Sequence, residues 1–219
     1  MKEAGATAPC AEAPGCAEVV LVHGLWAPDW VMVPLAARLA RAGFRCHRFR
    51  YAGRARPLES HLERLARYAR AIGRAHFVGH SLGGLVVLET LERERTLAAG
   101  RVLLLGAPVR GSLAARRGAR LAPGRWLLGE AASILREERP ARWTRAEPLG
   151  VVAGSLPLGI GRFLGGLPGP SDGVVRVEET TVEGMCARIV LPVSHSTMLV
   201  SARLAREAAA FLATGRFGR

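Results

Sequence analysis

The chain has 219 residues, a formal net charge of +13 at pH 7 and an aromatic content of 5%. That length suits one α/β domain with a core that Leu, Val and Ala must build. No uncharged apolar run approaches the ~18 residues of a membrane span, and no aromatic-interleaved basic motif or zinc-finger spacing points to nucleic acid.

Residues 1–17, rich in Ala, Pro and Gly, read as a loose leader, and residues 18–219 as the domain. The leader carries acidic residues and lacks the apolar stretch of a signal peptide, so the expected location is cytoplasmic. Val19-Val20-Leu21-Val22 is a continuous apolar run, the pattern of a strand covered on both faces. A helix is expected over 30–42, with Asp29 placed to cap it and Gly43 to stop it. A second strand follows over 44–51. Leu58, Leu62, Leu65 and Ile72 then fall at helical spacing before Gly73. The third strand spans 75–80 and is followed by the turn at Ser81 and a helix ending near Arg93. Further strands are read at 102–105, 151–153 and 189–191. A last helix over 197–213 carries Val200, Leu204, Ala208 and Phe211 on one stripe. Strands alternating with helices imply a parallel sheet with right-handed crossovers.

Two stretches interrupt the alternation. Residues 109–147 are long, arginine-rich and carry Trp126 and Trp143, and residues 156–173 are rich in Gly and Pro. Long segments of this kind in a compact domain are usually lids or binding loops. The charge excess is almost all arginine, since Lys2 is the only lysine. Its simplest source is a compositional bias placed on solvated helix faces; peripheral contact with an anionic membrane is the functional alternative. Cys10, Cys16, Cys46 and Cys186 show neither metal-ligand spacing nor a disulfide framework.

The chemistry concentrates at Gly79-His80-Ser81-Leu82-Gly83, a G-x-S-x-G between a strand and a helix. Such a turn presents a serine hydroxyl above the edge of a sheet. A serine is a weak nucleophile unless a base adjoins it. Of six histidines only His195 lies downstream of Ser81, and of two aspartates only Asp172 lies between them. Ser, Asp, His is one of the chain orders in which a Ser-His-Asp triad is found. Pro170-Ser171-Asp172-Gly173 is also a good turn sequence in its own right, and Glu178 and Glu179 are the alternative acids.

With Val22-His23-Gly24-Leu25-Trp26 after the first strand and Leu105-Gly106-Ala107-Pro108 after the fourth, the set resembles the compact serine esterases and lipases of the α/β-hydrolase superfamily over roughly residues 18–213. The resemblance implies a single-domain α/β-hydrolase fold of about six mostly parallel strands, flanking helices and a lid-like insertion at 109–147. It implies a nucleophile at Ser81, a base at His195, an acid at Asp172, and an oxyanion hole from the backbone N–H groups of Leu25 and Leu82. His23 and His80 read as structural neighbours of these groups. Trp26, Trp126 and Trp143 are candidate pocket residues, with core packing as the competing role. The implied reaction is hydrolysis of a small-molecule ester or lipid, with an apolar acyl group preferred and no metal or cofactor. The same triad serves thioesterases, amidases and C–C hydrolases, and a non-catalytic ligand-binding module on this fold is the rival outside enzymes.

Overall fold

Six short segments, 34 residues in all, frame the interior, and four of them are apolar enough to be covered on both faces. The six are β1 (Glu18–Val22), β2 (Arg45–Phe49), β3 (Ala75–His80), β4 (Ala99–Leu105), β5 (Leu149–Gly154) and β6 (Ala187–Leu191). In the computed structural model these strands form one sheet in the order β2-β1-β3-β4-β5-β6, every pairing parallel. The structure describes residues 16–218 except 26, 53–55, 121–125, 127, 139, 160 and 162–165.

The helices divide between the two faces. On one face α2 (Leu58–Ile72) and α3 (Leu82–Arg93) pack Leu62, Leu65, Leu85 and Leu91 against Val20, Phe77, Val102 and Val151. On the other, α1 (Val33–Arg41) and α6 (Ala202–Thr214) pack Leu35, Leu39, Leu204 and Phe211 against Leu21, Val78, Leu103 and Val152. The alternation along each strand sends successive side chains to opposite layers. Between β4 and β5 the insertion holds α4 (Leu113–Gly118), a 3₁₀ turn at Gly129–Ala131 and α5 (Ala132–Arg136). Its Leu128, Ile134, Leu135 and Trp143 join the α2/α3 layer.

Three local expectations change. Asp29 opens a 3₁₀ turn (Asp29–Met32) rather than capping α1, and its carboxylate goes to Arg50 Nε at 3.0 Å and Arg48 at 3.4 Å. The last helical stretch is broken into a 3₁₀ turn (Thr197–Val200) and α6, because Ser201 takes extended backbone and its Oγ caps Leu204 N at 3.1 Å. Val200 therefore leaves the buried stripe and is 53% exposed. Cys16 and Cys46 are free thiols, whereas Cys186 is disulfide-bonded. Among the described residues no helix is long and apolar enough to cross a membrane.

Candidate active site

β3 ends at His80 and α3 begins at Leu82, so the chain turns from strand to helix in a single residue. Ser81 makes that turn at φ 54°, the one positive φ among the described non-glycine residues. Conformations of this kind cost about 1–3 kcal/mol and persist where the surroundings over-determine them. Here they do. The Ser81 N–H donates to Leu105 O at 2.9 Å, and Gly84 N–H donates to Ser81 O at 2.9 Å. A Cβ on Gly79 would lie 2.5 Å from Gly84 Cα, and one on Gly83 would lie 2.3 Å from the carbonyl oxygens of Val22 and His23. The turn closes only because those positions carry no side chain.

The loop after β1 is drawn against the same turn. A Cβ on Gly24 would meet Ser81 Cβ at 3.0 Å. His23 Nδ1 donates to Gly24 O at 2.8 Å, its ring stacks on Tyr51, and Tyr51 Oη donates to His23 O at 2.8 Å. Burial pushes the His23 imidazole below its ordinary range, so it serves this loop as a neutral ring. Leu25 follows, half-buried. Leu82 is the first residue of α3, where a backbone N–H has no partner within the helix.

Asp172 sits on the turn after β5, 1% exposed. Its Oδ1 accepts the backbone N–H groups of Val174 at 2.9 Å and Val175 at 2.7 Å. Its Oδ2 lies 2.7 Å from His195 Nδ1. The two residues are also joined through the backbone, His195 N–H to Asp172 O at 2.9 Å. Gly106 and Gly154 leave room for the carboxyl: Cβ atoms there would come within 3.0 Å of Asp172 Oδ2 and 2.7 Å of Asp172 Cβ. With Nδ1 donating to a carboxylate, His195 keeps Nε2 as the nitrogen free to accept a proton.

His195 packs against the elbow through His80, the residue before Ser81; the ring centroids are 4.8 Å apart. His80 Nε2 donates to His195 O at 3.0 Å. Burial, with His195 beside it, pushes the His80 imidazole down to about 3. It is a neutral strut that fixes the backbone of His195. Neither its donor role nor the carbonyl it holds was legible in the sequence.

Glu178 and Glu179 part company. Glu178 is exposed and pairs with Arg176 at the surface. Glu179 is 4% exposed and accepts Leu113 N at 2.7 Å, Arg176 N at 2.9 Å and Arg176 Nε at 3.1 Å, while its carbonyl accepts Arg110 N at 3.1 Å. It ties the start of the insertion to the turn that carries Asp172. Trp143 is buried in the α2/α3 layer with its indole N–H on Glu147 O at 2.6 Å, the arrangement of an anchor. Trp126 is 66% exposed, and Trp26 lies outside the described residues.

A family sequence model described as the alpha/beta hydrolase family matches residues 19–216. The chain belongs to that family. Among curated proteins none matches it. Among solved structures it is similar to a lipase of Bacillus licheniformis in its mature form, at 19% identity and a TM-score of 0.72, covering 94% of this chain and 95% of that one. A hydrolase from Pseudomonas aeruginosa aligns at 17% identity and a TM-score of 0.62, covering 92% and 91%. A metagenomic carboxyl esterase aligns at 17% identity and a TM-score of 0.63, covering 88% of this chain and 68% of that one. At these identities the likeness is one of fold.

Proposed function

We propose that this alpha/beta hydrolase cleaves carboxylic esters with an apolar acyl group through Ser81, His195 and Asp172. The observation that carries the reading is the pairing of Asp172 Oδ2 with His195 Nδ1 at 2.7 Å, beside a serine held at positive φ on a strand-to-helix turn. Ser81 Oγ attacks the ester carbonyl as its proton passes to His195 Nε2. The oxyanion that forms takes the N–H groups of Leu82 and Leu25; a donor of this kind is typically worth about 3–4 kcal/mol in the transition state. Collapse breaks the C–O bond to the alcohol, which leaves with the proton from His195, and an acyl-Ser81 remains. Water then gives its proton to His195 and attacks the acyl carbon, releasing the acid and restoring Ser81. Throughout, Asp172 holds the Nδ1–H and stabilises the imidazolium.

The fold neighbours include proteins named as a lipase and a carboxyl esterase, which supports the ester over other acyl compounds. Labelling by a fluorophosphonate tests the reading. Wild type should be labelled at Ser81 and should hydrolyse medium-chain aryl esters, whereas a folded Ser81→Ala variant should lose labelling and lower kcat by about 10⁴–10⁶. Labelling that survives in that variant removes Ser81 as the nucleophile.

A further inference from the structure

Seven large apolar side chains stand exposed among the described residues, and six of them lie on segments leaving the C-terminal ends of strands. They are Trp30 and Val33 after β1, Trp126 after β4, Leu156 and Leu158 after β5, and Val200 after β6. The seventh, Val190, sits within edge strand β6. Soluble domains rarely gather exposed apolar groups at one end without a partner for them.

Five of the six lie on elements that adjoin or follow the segment carrying His195. Leu156 N–H donates to Val193 O at 3.2 Å, so the loop bearing Leu156 and Leu158 runs beside that segment. On its other side the turn Thr197–Val200 packs against α1, which Val33 opens and which Trp30 precedes by one turn. The exposures are high: 64% for Trp30, 53% for Val200 and 53% for Leu158. Basic groups flank the same band. Arg48 and Arg50 meet Asp29, next to Trp30, and the Arg50 side chain remains 82% exposed. Arg203, three residues beyond Val200, is exposed and makes no ion pair among the described residues.

We infer that this band docks the catalytic edge onto an anionic lipid surface, with Trp30, Val200 and Leu158 at the acyl boundary and Arg50 and Arg203 at headgroup phosphates. Tryptophan flanked by arginine suits that boundary, since the ring is amphipathic and the guanidinium binds phosphate. The chain's net charge of +13 favours an anionic surface over a neutral one. A protein partner seated on this band would cover the segment that carries His195, whereas a lipid surface would bring an apolar ester to it. The inference rests on the apolar-ester reading for its purpose and on the surface residues for its evidence.

Flotation of the whole chain with vesicles of ether-linked phosphatidylglycerol and phosphatidylcholine tests it. These lipids contain no carboxylic ester, so binding is read apart from hydrolysis, and fluorophosphonate labelling reports on the hydrolase separately. Binding to phosphatidylglycerol vesicles should exceed binding to phosphatidylcholine alone at least tenfold and weaken as salt rises. Trp30→Ser combined with Val200→Ser should cut it at least tenfold, Arg203→Glu should cut it roughly tenfold on anionic vesicles, and Val190→Ser should leave it unchanged. Melting temperatures should match wild type, because all these side chains are exposed. No flotation on anionic vesicles overturns the inference, as does an equal loss with Val190→Ser. So does a dimer that Trp30→Ser with Val200→Ser dissolves, for the band would then be a self-association face.

Discussion

Residues 79–84 and residues 170–180 each place one side chain of the site, and they use opposite means. The elbow works by omission: Gly79, Gly83 and Gly84 stand where a Cβ would lie 2.3–2.5 Å from a neighbouring atom. The acid-bearing turn works by satisfaction, since two buried carboxylates, Asp172 and Glu179, take up backbone N–H groups at 2.7–2.9 Å. A steric solution fails when anything is added to it. A polar solution tolerates shape and fails when a donor or acceptor is reversed.

Gly83→Ala should therefore be the most damaging change in these two regions. Its Cβ would sit 2.3 Å from two backbone oxygens at the end of β1, and neither strand nor loop can yield. Overpacking typically costs about 1–3 kcal/mol where side chains can move; against backbone the cost should exceed that, and little folded protein should be recovered. A soluble variant with wild-type melting would show that the elbow has slack and would undo the contrast. Asp172→Asn should do the reverse. The Oδ1 contacts to Val174 and Val175 survive, so melting should shift little, but an amide facing His195 Nδ1 imposes the wrong tautomer. The expected loss in kcat is about 10³–10⁴. Steady-state kinetics beside thermal melts on both variants would separate a fold defect from a chemical one.

That contrast also governs what the sequence discloses. The elbow was legible because steric solutions use a residue type with one meaning: a glycine two residues before and two after a serine, between an apolar run and a helix. The four central strands were legible for a related reason, as double-sided burial needs continuous apolar runs such as Leu103-Leu104-Leu105, whereas β2 and β6 at the sheet edges show weaker patterns. Asp172 was legible by elimination, since no other aspartate lies between Ser81 and His195. Polar solutions are less readable. Nothing in the local pattern distinguishes Glu178, on the surface, from Glu179, buried beside it, because their partners Arg110 and Leu113 come from another element. Val200 was misplaced because its spacing to Leu204 fits a helix, and the break at Ser201 is set by its cap and by packing on α1.

The buried histidines of β3 make stability depend on pH. Burial lowers His80 to about 3 and His76, beside Arg101, to about 4, against an ordinary value of 6.5. Between those limits the unfolded chain binds protons that the folded chain excludes, so unfolding takes protons up. Their contribution is complete above about pH 6.5 and falls as pH drops toward 4. By pH 5 the two together should cost up to about 4 kcal/mol by linkage. His80→Gln should reduce the slope of unfolding free energy against pH by one proton between pH 5 and 6. Urea melts across that range measure it, and an unchanged slope would mean that His80 titrates freely and is no neutral strut.

The smallest change proposed is the one that joins the two regions. Glu179 fastens the turn of Asp172 to the chain leaving β4, and β4 is the strand whose Leu105 carbonyl holds Ser81. In Glu179→Gln an NH₂ group must face either Leu113 N–H or Arg176 N–H, donor against donor. Leaving one buried donor unsatisfied costs about 1–3 kcal/mol, which a melt should show. Asp172 keeps its own contacts to Val174 and Val175, so kcat should fall only a few-fold, far less than in Asp172→Asn. Glu178→Gln should change neither quantity measurably, as its ion pair with Arg176 lies at the surface and such pairs are worth about 0–1 kcal/mol. The decisive outcome is the ratio of the two effects. If Glu179→Gln matched Asp172→Asn in kcat while leaving the melt untouched, the acid of the site would be Glu179. The turn of Asp172 would then be scaffold, and the polar half of the comparison would have to be drawn around a different carboxylate.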